Sequence, residues 1–169
     1  MAATYTPIAS ITLGETTSSV TFSSIPQTYT DLVLISTPTQ NTGYNNLNAN
    51  FNFNSGSNYS STWLTGSNDT SFSGRASNIG VAYLSAYAAP GTTLGNFLCS
   101  SHIMNYSNTT TNKVVISRAG NNVTGTDIEL VVSLWRSTNA ITSITLSLGA
   151  NNFVSGSTFN LYGIQAGNA

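Results

Sequence analysis

Asp127 to Ile164 runs DIELVVSLWRSTNAITSITLSLGANNFVSGSTFNLYGI, and its reading decides the fold class. Ile128, Leu130, Val132 and Leu134 fall at period two, with Glu129, Val131 and Ser133 between them, the pattern of a strand with one buried face. Ser137, Thr138 and Asn139 then interrupt with residues that favour turns. Ile144, Leu146 and Leu148 alternate with Thr145 and Ser147, and after a polar turn at Gly149 to Gly156, Phe159 and Leu161 alternate with Asn160 and Tyr162. The three segments predict an antiparallel meander with no helix.

Outward from that stretch the same grammar repeats. Extended segments are predicted at Ile8 to Leu13, around Val20 and Phe22, and at Asp31 to Ser36, where Leu32-Val33-Leu34-Ile35 is apolar on both faces and belongs in the middle of a sheet. Leu47 to Asn54 alternates Leu47, Ala49, Phe51 and Phe53 with Asn48, Asn50, Asn52 and Asn54, predicting an apolar face and an exposed row of asparagines. Tyr59 to Leu64, Ile79 to Tyr87, Asn96 to Met104 and Lys113 to Ser117 complete the set, with Gly66 to Gly74 read as a polar loop. About ten short strands between turn signals predict an all-β fold, an antiparallel β-sandwich of jelly-roll type forming a single domain over residues 1–169. The chain reads as complete in itself, without shaft or anchor.

Composition narrows the function. Only 5% of the 169 residues are charged, the formal net charge is −1, and roughly two-fifths are Ser, Thr or Asn. Four Lys and Arg cannot form the basic stripe that phosphate neutralisation needs, which argues against nucleic acid. No stretch approaches the ~20 apolar residues of a membrane helix, and the N-terminus lacks a signal-peptide pattern. Disorder, the rival reading of such a polar chain, conflicts with 40% hydrophobic residues in regular alternation. Low net charge favours association, so a homo-oligomer or a place in a larger assembly is expected.

Candidate chemistry is sparse. Cys99 and His102 supply two ligands where a zinc site needs three or four, and spacing three on a strand sends them to opposite faces, so Cys99 is expected in the core and His102 at the surface. Asp127 and Glu129 share a strand face at a spacing that two glycosidase carboxylates could span, yet no other feature supports catalysis. Asp69 lies in a loop whose oxygens suit calcium, with one carboxylate where several are wanted. Arg136 is expected to stack on Trp135 or pair with Asp127 or Glu129. No enzyme activity, cofactor or metal is expected. The residues singled out as an interaction surface are the asparagine row, Asn48, Asn50 and Asn52, and the aromatics Tyr59, Trp63 and Tyr106, which could stack on sugar rings if loops expose them.

Thr4 to Ser36, Asn54 to Ser67, Ser100 to Gly120 and Ser133 to Ile164 together resemble a family of tailed-bacteriophage virion proteins abundant in marine and freshwater phages. SSIPQTYTDLVL and LWRSTNAITSITL are the most specific segments. The chain departs from the pattern at Asn54-Ser55-Gly56, where relatives are expected to carry an Asp. The resemblance implies a protein of the virion exterior, made in the host cytoplasm. It favours a capsid decoration or cement protein, commonly a homotrimer, partnered by the major capsid protein or another virion protein. A tail-fibre or receptor-binding module taking a host glycan is the alternative, and a glycan hydrolase a distant third.

Overall fold

The computed structural model describes residues 5–41, 43–90, 97–121 and 128–165, without the side chains of residues 44 and 87–90. Twelve strands form among them: β1 (Tyr5–Thr12), β2 (Ser19–Phe22), β3 (Asp31–Thr37), β4 (Tyr44–Phe51), β5 (Tyr59–Ser67), β6 (Thr70–Ile79), β7 (Ala82–Pro90), β8 (Phe97–Met104), β9 (Lys113–Asn121), β10 (Ile128–Trp135), β11 (Ile144–Leu148) and β12 (Thr158–Ile164). They pair antiparallel in two sheets, a large one in the order β1-β12-β3-β8-β9-β10-β5-β6 and a small one in the order β2-β11-β4-β7. The all-β sandwich is therefore as expected, while a jelly-roll connectivity does not emerge from a division into eight and four strands.

The opening stretch is not a meander. β10 lies between β9 and β5, β11 between β2 and β4, and β12 between β1 and β3, so no two of the three are neighbours. The turn residues after Trp135 carry the chain from one sheet to the other. That crossing is held from several sides: Asn52 Oδ1 accepts the N–H groups of Thr142 (2.8 Å) and Ser143 (3.1 Å), Asn52 Nδ2 donates to Ala140 O (2.7 Å), Gln27 Nε2 donates to Ile141 O (3.0 Å), and Ile141 N donates to Tyr106 O (2.8 Å). β6 occupies most of what reads as a polar loop. Its side chains are nearly all exposed and it is the last strand of its sheet, so no apolar alternation marks it.

The core lies between the sheets. Leu32 and Leu34 of β3 are wholly buried, as their central position demands, and Leu47, Ala49 and Phe51 of β4 face inward. Phe53 does not: it is 69% exposed and, with Asn52, sits at positive φ where β4 has ended in a turn. One end of the core is an aromatic cluster, with Tyr59 stacked on Trp135 (6.1 Å, 14°) and Phe51 tilted against Trp135 (5.5 Å). Phe153 and Phe159 meet edge to face at 5.0 Å elsewhere in it.

β10 inverts the expected polarity. Val131, Ser133, Trp135 and even Glu129 face the core, whereas Ile128, Leu130 and Val132 are exposed on the other side. The reason is β7, which rides over β10 and β9. Small inward residues, Ser61, Ser133, Ser117, Ser101, Cys99 and Ala119, leave room for it. β7 is also an edge of the small sheet, so backbone groups on its free side need partners. Ser61 Oγ accepts Tyr83 N–H (3.1 Å), Ser133 Oγ donates to Tyr83 O (2.7 Å), and the Glu129 carboxylate accepts Ala86 N–H (3.1 Å) and Ser85 Oγ–H (2.6 Å) through one oxygen and Thr65 Oγ1–H (3.2 Å) through the other. The polar residues of β10 point inward because they pin a strand.

Candidate docking face

The residues expected to form an interaction surface mostly do other work. Tyr59 and Tyr106 are fully buried: the Tyr59 hydroxyl accepts Phe51 N–H at 3.0 Å, and the Tyr106 hydroxyl donates to Pro26 O. Burial pushes the Tyr59 phenol up to about 12 and raises that of Tyr106. Neither ring can stack on a ligand. Asn48 is also buried, and Asn50 and Asn52 are partly buried. Asn50 Nδ2 donates to Asn54 O (2.5 Å) and Asn52 holds the crossing, so the asparagine row is not an open wet face. Trp63 is half-buried, tilted against Tyr83 at 5.8 Å and lying over Gly74, where any Cβ would collide with the indole.

The titratable candidates also scatter. Cys99 is buried and His102 partly exposed on opposite faces of β8, as the spacing predicts. Burial pushes the Cys99 thiol up to about 12, the Ser101 hydroxyl working against this and the Glu129 carboxylate adding to it, so the thiolate needed for nucleophilic chemistry is disfavoured. His102 Nε2 meets Asp31 Oδ2 at 3.0 Å, and Asp31 Oδ1 also accepts Asn105 N–H at 2.7 Å. Asp127 lies outside the described residues, so its pairing with Glu129 is not addressed. Arg136 neither stacks nor pairs with Glu129: it is directed to the start of β5, donating to Ser60 Oγ (2.5 Å), Ser57 O (3.1 Å), Tyr59 O (3.3 Å) and Asn78 Oδ1 (3.1 Å). Glu129 is committed to β7 on the inner side. Lys113 is buried, with Nζ donating to Thr111 O (2.7 Å) and Thr138 O (3.2 Å), and burial lowers its pKa. Among the described residues no group of three or more His, Cys, Asp or Glu could hold a metal ion, and no helix is long and apolar enough to cross a membrane.

What the sequence did not disclose is the outer face of the large sheet. Strand pairing sets its grid. Ile128 of β10 lies opposite Gly120 of β9, which lies opposite Leu98 of β8; Leu130 lies between Leu64 of β5 and Arg118 of β9; Val132 lies between Thr62 and Ile116. Leu64, Leu98, Ile116, Ile128, Leu130 and Val132 are each between 39 and 65% exposed. Isolated exposed apolar side chains are ordinary, but these are contiguous and show on the order of 400 Å² of apolar surface, a size at which a patch is commonly functional. The margins are mixed: Ser10, Asn160, Thr37 and Thr158 lie toward β1 together with Tyr5 and Tyr162, and Ser73 and Arg75 lie on β6. Ser10 Oγ donates to Asn160 Oδ1 at 2.7 Å, and the hydroxyls of Thr37 and Thr158 lie 2.5 Å apart.

Depressions texture this face. One, about 580 Å³, includes Leu64, Ile128 and Leu130; a larger one, about 890 Å³, includes Leu98, Ser100, Arg118 and Gly120; a third, about 300 Å³, is bounded by Ser100, His102, Ile116 and Arg118. An apolar centre with a more polar border is the anatomy of a protein–protein interface, and among the described residues it presents no paired carboxylates or phosphate cradle. The signal was present in Ile128, Leu130 and Val132; alternation marks two faces without saying which one is inside. Comparison with family models, curated proteins and solved structures finds no match to this chain.

Proposed function

We propose that the protein is a structural component of a bacteriophage virion, a decoration or cement protein that binds the outer capsid surface and stabilises the head without catalysing a reaction. The observation that supports the assembly role is the exposed outer face of the large sheet, apolar at β10, β9, β8 and β5 and bordered by hydroxyl and amide side chains toward β1 and β6. Burying such a face against a shell adds interface area, most of it apolar or neutral. The virion assignment itself rests on the sequence resemblance.

The alternative suggested by the same resemblance, a receptor-binding module for host glycans, needs exposed aromatics to stack on sugar rings, and Tyr59 and Tyr106 are in the core. Cryo-electron microscopy of intact particles tests the proposal. Density for this sandwich on the capsid lattice, outer sheet face inward, is the expected result. Density confined to the tail tip would end it. Particles lacking the protein are expected to lose DNA at lower temperature while adsorbing to cells normally.

A further inference from the structure

The chain has four Lys and Arg and five Asp and Glu, and their placement is uneven. Lys113 is buried and Arg136 is spent on β5. The remaining two cations, Arg75 and Arg118, are exposed, lie on the outer face of the large sheet, and make no hydrogen bond or ion pair among the described residues. The described carboxylates are elsewhere or committed. Glu15 and Asp69 sit in the turns after β1 and β5, Glu129 is inside, and Asp31 is held by His102 and Asn105. Among the described residues, the apolar face therefore carries the uncommitted Lys and Arg charge.

Arg118 is set among apolar neighbours, flanked by Leu130 across one pairing and Ser100 across the other, with Ile116 two residues away. Arg75 lies opposite Thr62 at the β6 margin. The two arginines are three strands and one two-residue step apart, which places their Cα atoms about 16 Å from one another. A partner that covers this face takes the Arg118 guanidinium out of water, and that is tolerable only if it supplies an acceptor.

We propose that this face docks a protein surface that is apolar and bears carboxylates placed to meet Arg118 and Arg75. The identification of that surface with the capsid shell rests on the role proposed above; the chemistry of the face does not. A second copy of this chain fits poorly, because stacking the face on itself opposes two positive faces. Nucleic acid fits poorly because two cations in an apolar field cannot follow a phosphate backbone. A neutral glycan would want aromatic platforms, and the centre of the face is aliphatic.

Two measurements on the full chain test this, using wild type and the variants R75E/R118E and Leu130→Ser/Val132→Ser, all at exposed positions. The first is retention on a mixed-mode butyl–carboxylate matrix against a butyl–amine matrix of equal ligand density. Wild type is expected to be retained longer on the carboxylate matrix and R75E/R118E on the amine. Equal retention of the two proteins on the carboxylate matrix overturns the proposal. So does a wild-type dimer in sedimentation that Leu130→Ser/Val132→Ser converts to monomer. The second is co-sedimentation with shells purified without the protein, where R75E/R118E is expected to lose at least tenfold in affinity, together with the salt dependence of wild-type binding. If the matrix result holds and wild type ignores the shells, the face retains its chemistry and the decoration role fails.

Discussion

At the scale of single residues, the buried hydroxyl and thiol groups fix the response to pH. Cys99 and Tyr59 have ordinary values of 9.0 and 10.0, and burial raises both to about 12. As pH climbs above 9 the unfolded chain gives up these protons while the folded chain keeps them, so the unfolded state binds fewer protons and stability falls. Lys113 acts in the opposite sense, because its pKa is lowered on folding and its proton leaves the folded state first. Urea unfolding between about pH 8 and 11 is expected to show a falling midpoint, and Cys99→Ala is expected to remove the earliest part of that fall. A midpoint that rises throughout would mean that Lys113 dominates. Phe53 is a second residue-scale case: an exposed bulky side chain at φ 52–56 beside Asn52. Left-handed backbone costs such a residue about 1–2 kcal/mol, so Phe53→Gly is expected to stabilise the fold by about 1 kcal/mol in the same assay.

At the scale of elements, β7 is the strand whose placement explains its neighbours. Its free edge is closed by Ser61, Ser133 and Glu129, which lie at inward positions where a plain core would place aliphatic groups. Glu129→Ala leaves the Ser85 hydroxyl, the Thr65 hydroxyl and the Ala86 amide without that acceptor. A loss of about 3 kcal/mol is expected, with hydrogen exchange quickening first at Ala86 and Tyr83. Unchanged protection at those two amides would show that the clamp is dispensable. The same strand accounts for what could and could not be read from sequence. Most strands were legible, because turn residues punctuate them and β3 and β4 have unambiguous apolar positions. β6 was not, since an edge strand with both faces exposed needs no pattern. The polarity of β10 was legible only as a period, because the burial of Ser133 and Glu129 depends on a strand some fifty residues earlier in the chain. The asparagines misled for a related reason: Asn52 satisfies a crossing segment ninety residues away.

At the scale of the whole molecule, fold and docking face use opposite sides of one sheet. Leu130→Ser/Val132→Ser therefore touches no core contact, and unfolding free energy is expected to stay within about 0.5 kcal/mol of wild type while particle binding is lost. A large loss of stability would place these side chains in the core after all. The sheet order has one further consequence, for synthesis. β12, the last strand, lies between β1 and β3, pairing Tyr5 with Ile164 on one side and Asp31 with Ile164 on the other. As the chain leaves the ribosome, β1 lacks the strand it pairs with and β3 lacks one side until β12 has been made. Closure across some 150 residues carries a high entropic toll, and such long-range pairing is slow. The large sheet, and with it the full docking face, is completed only once β12 has emerged, so no chain shorter than that can present the finished surface.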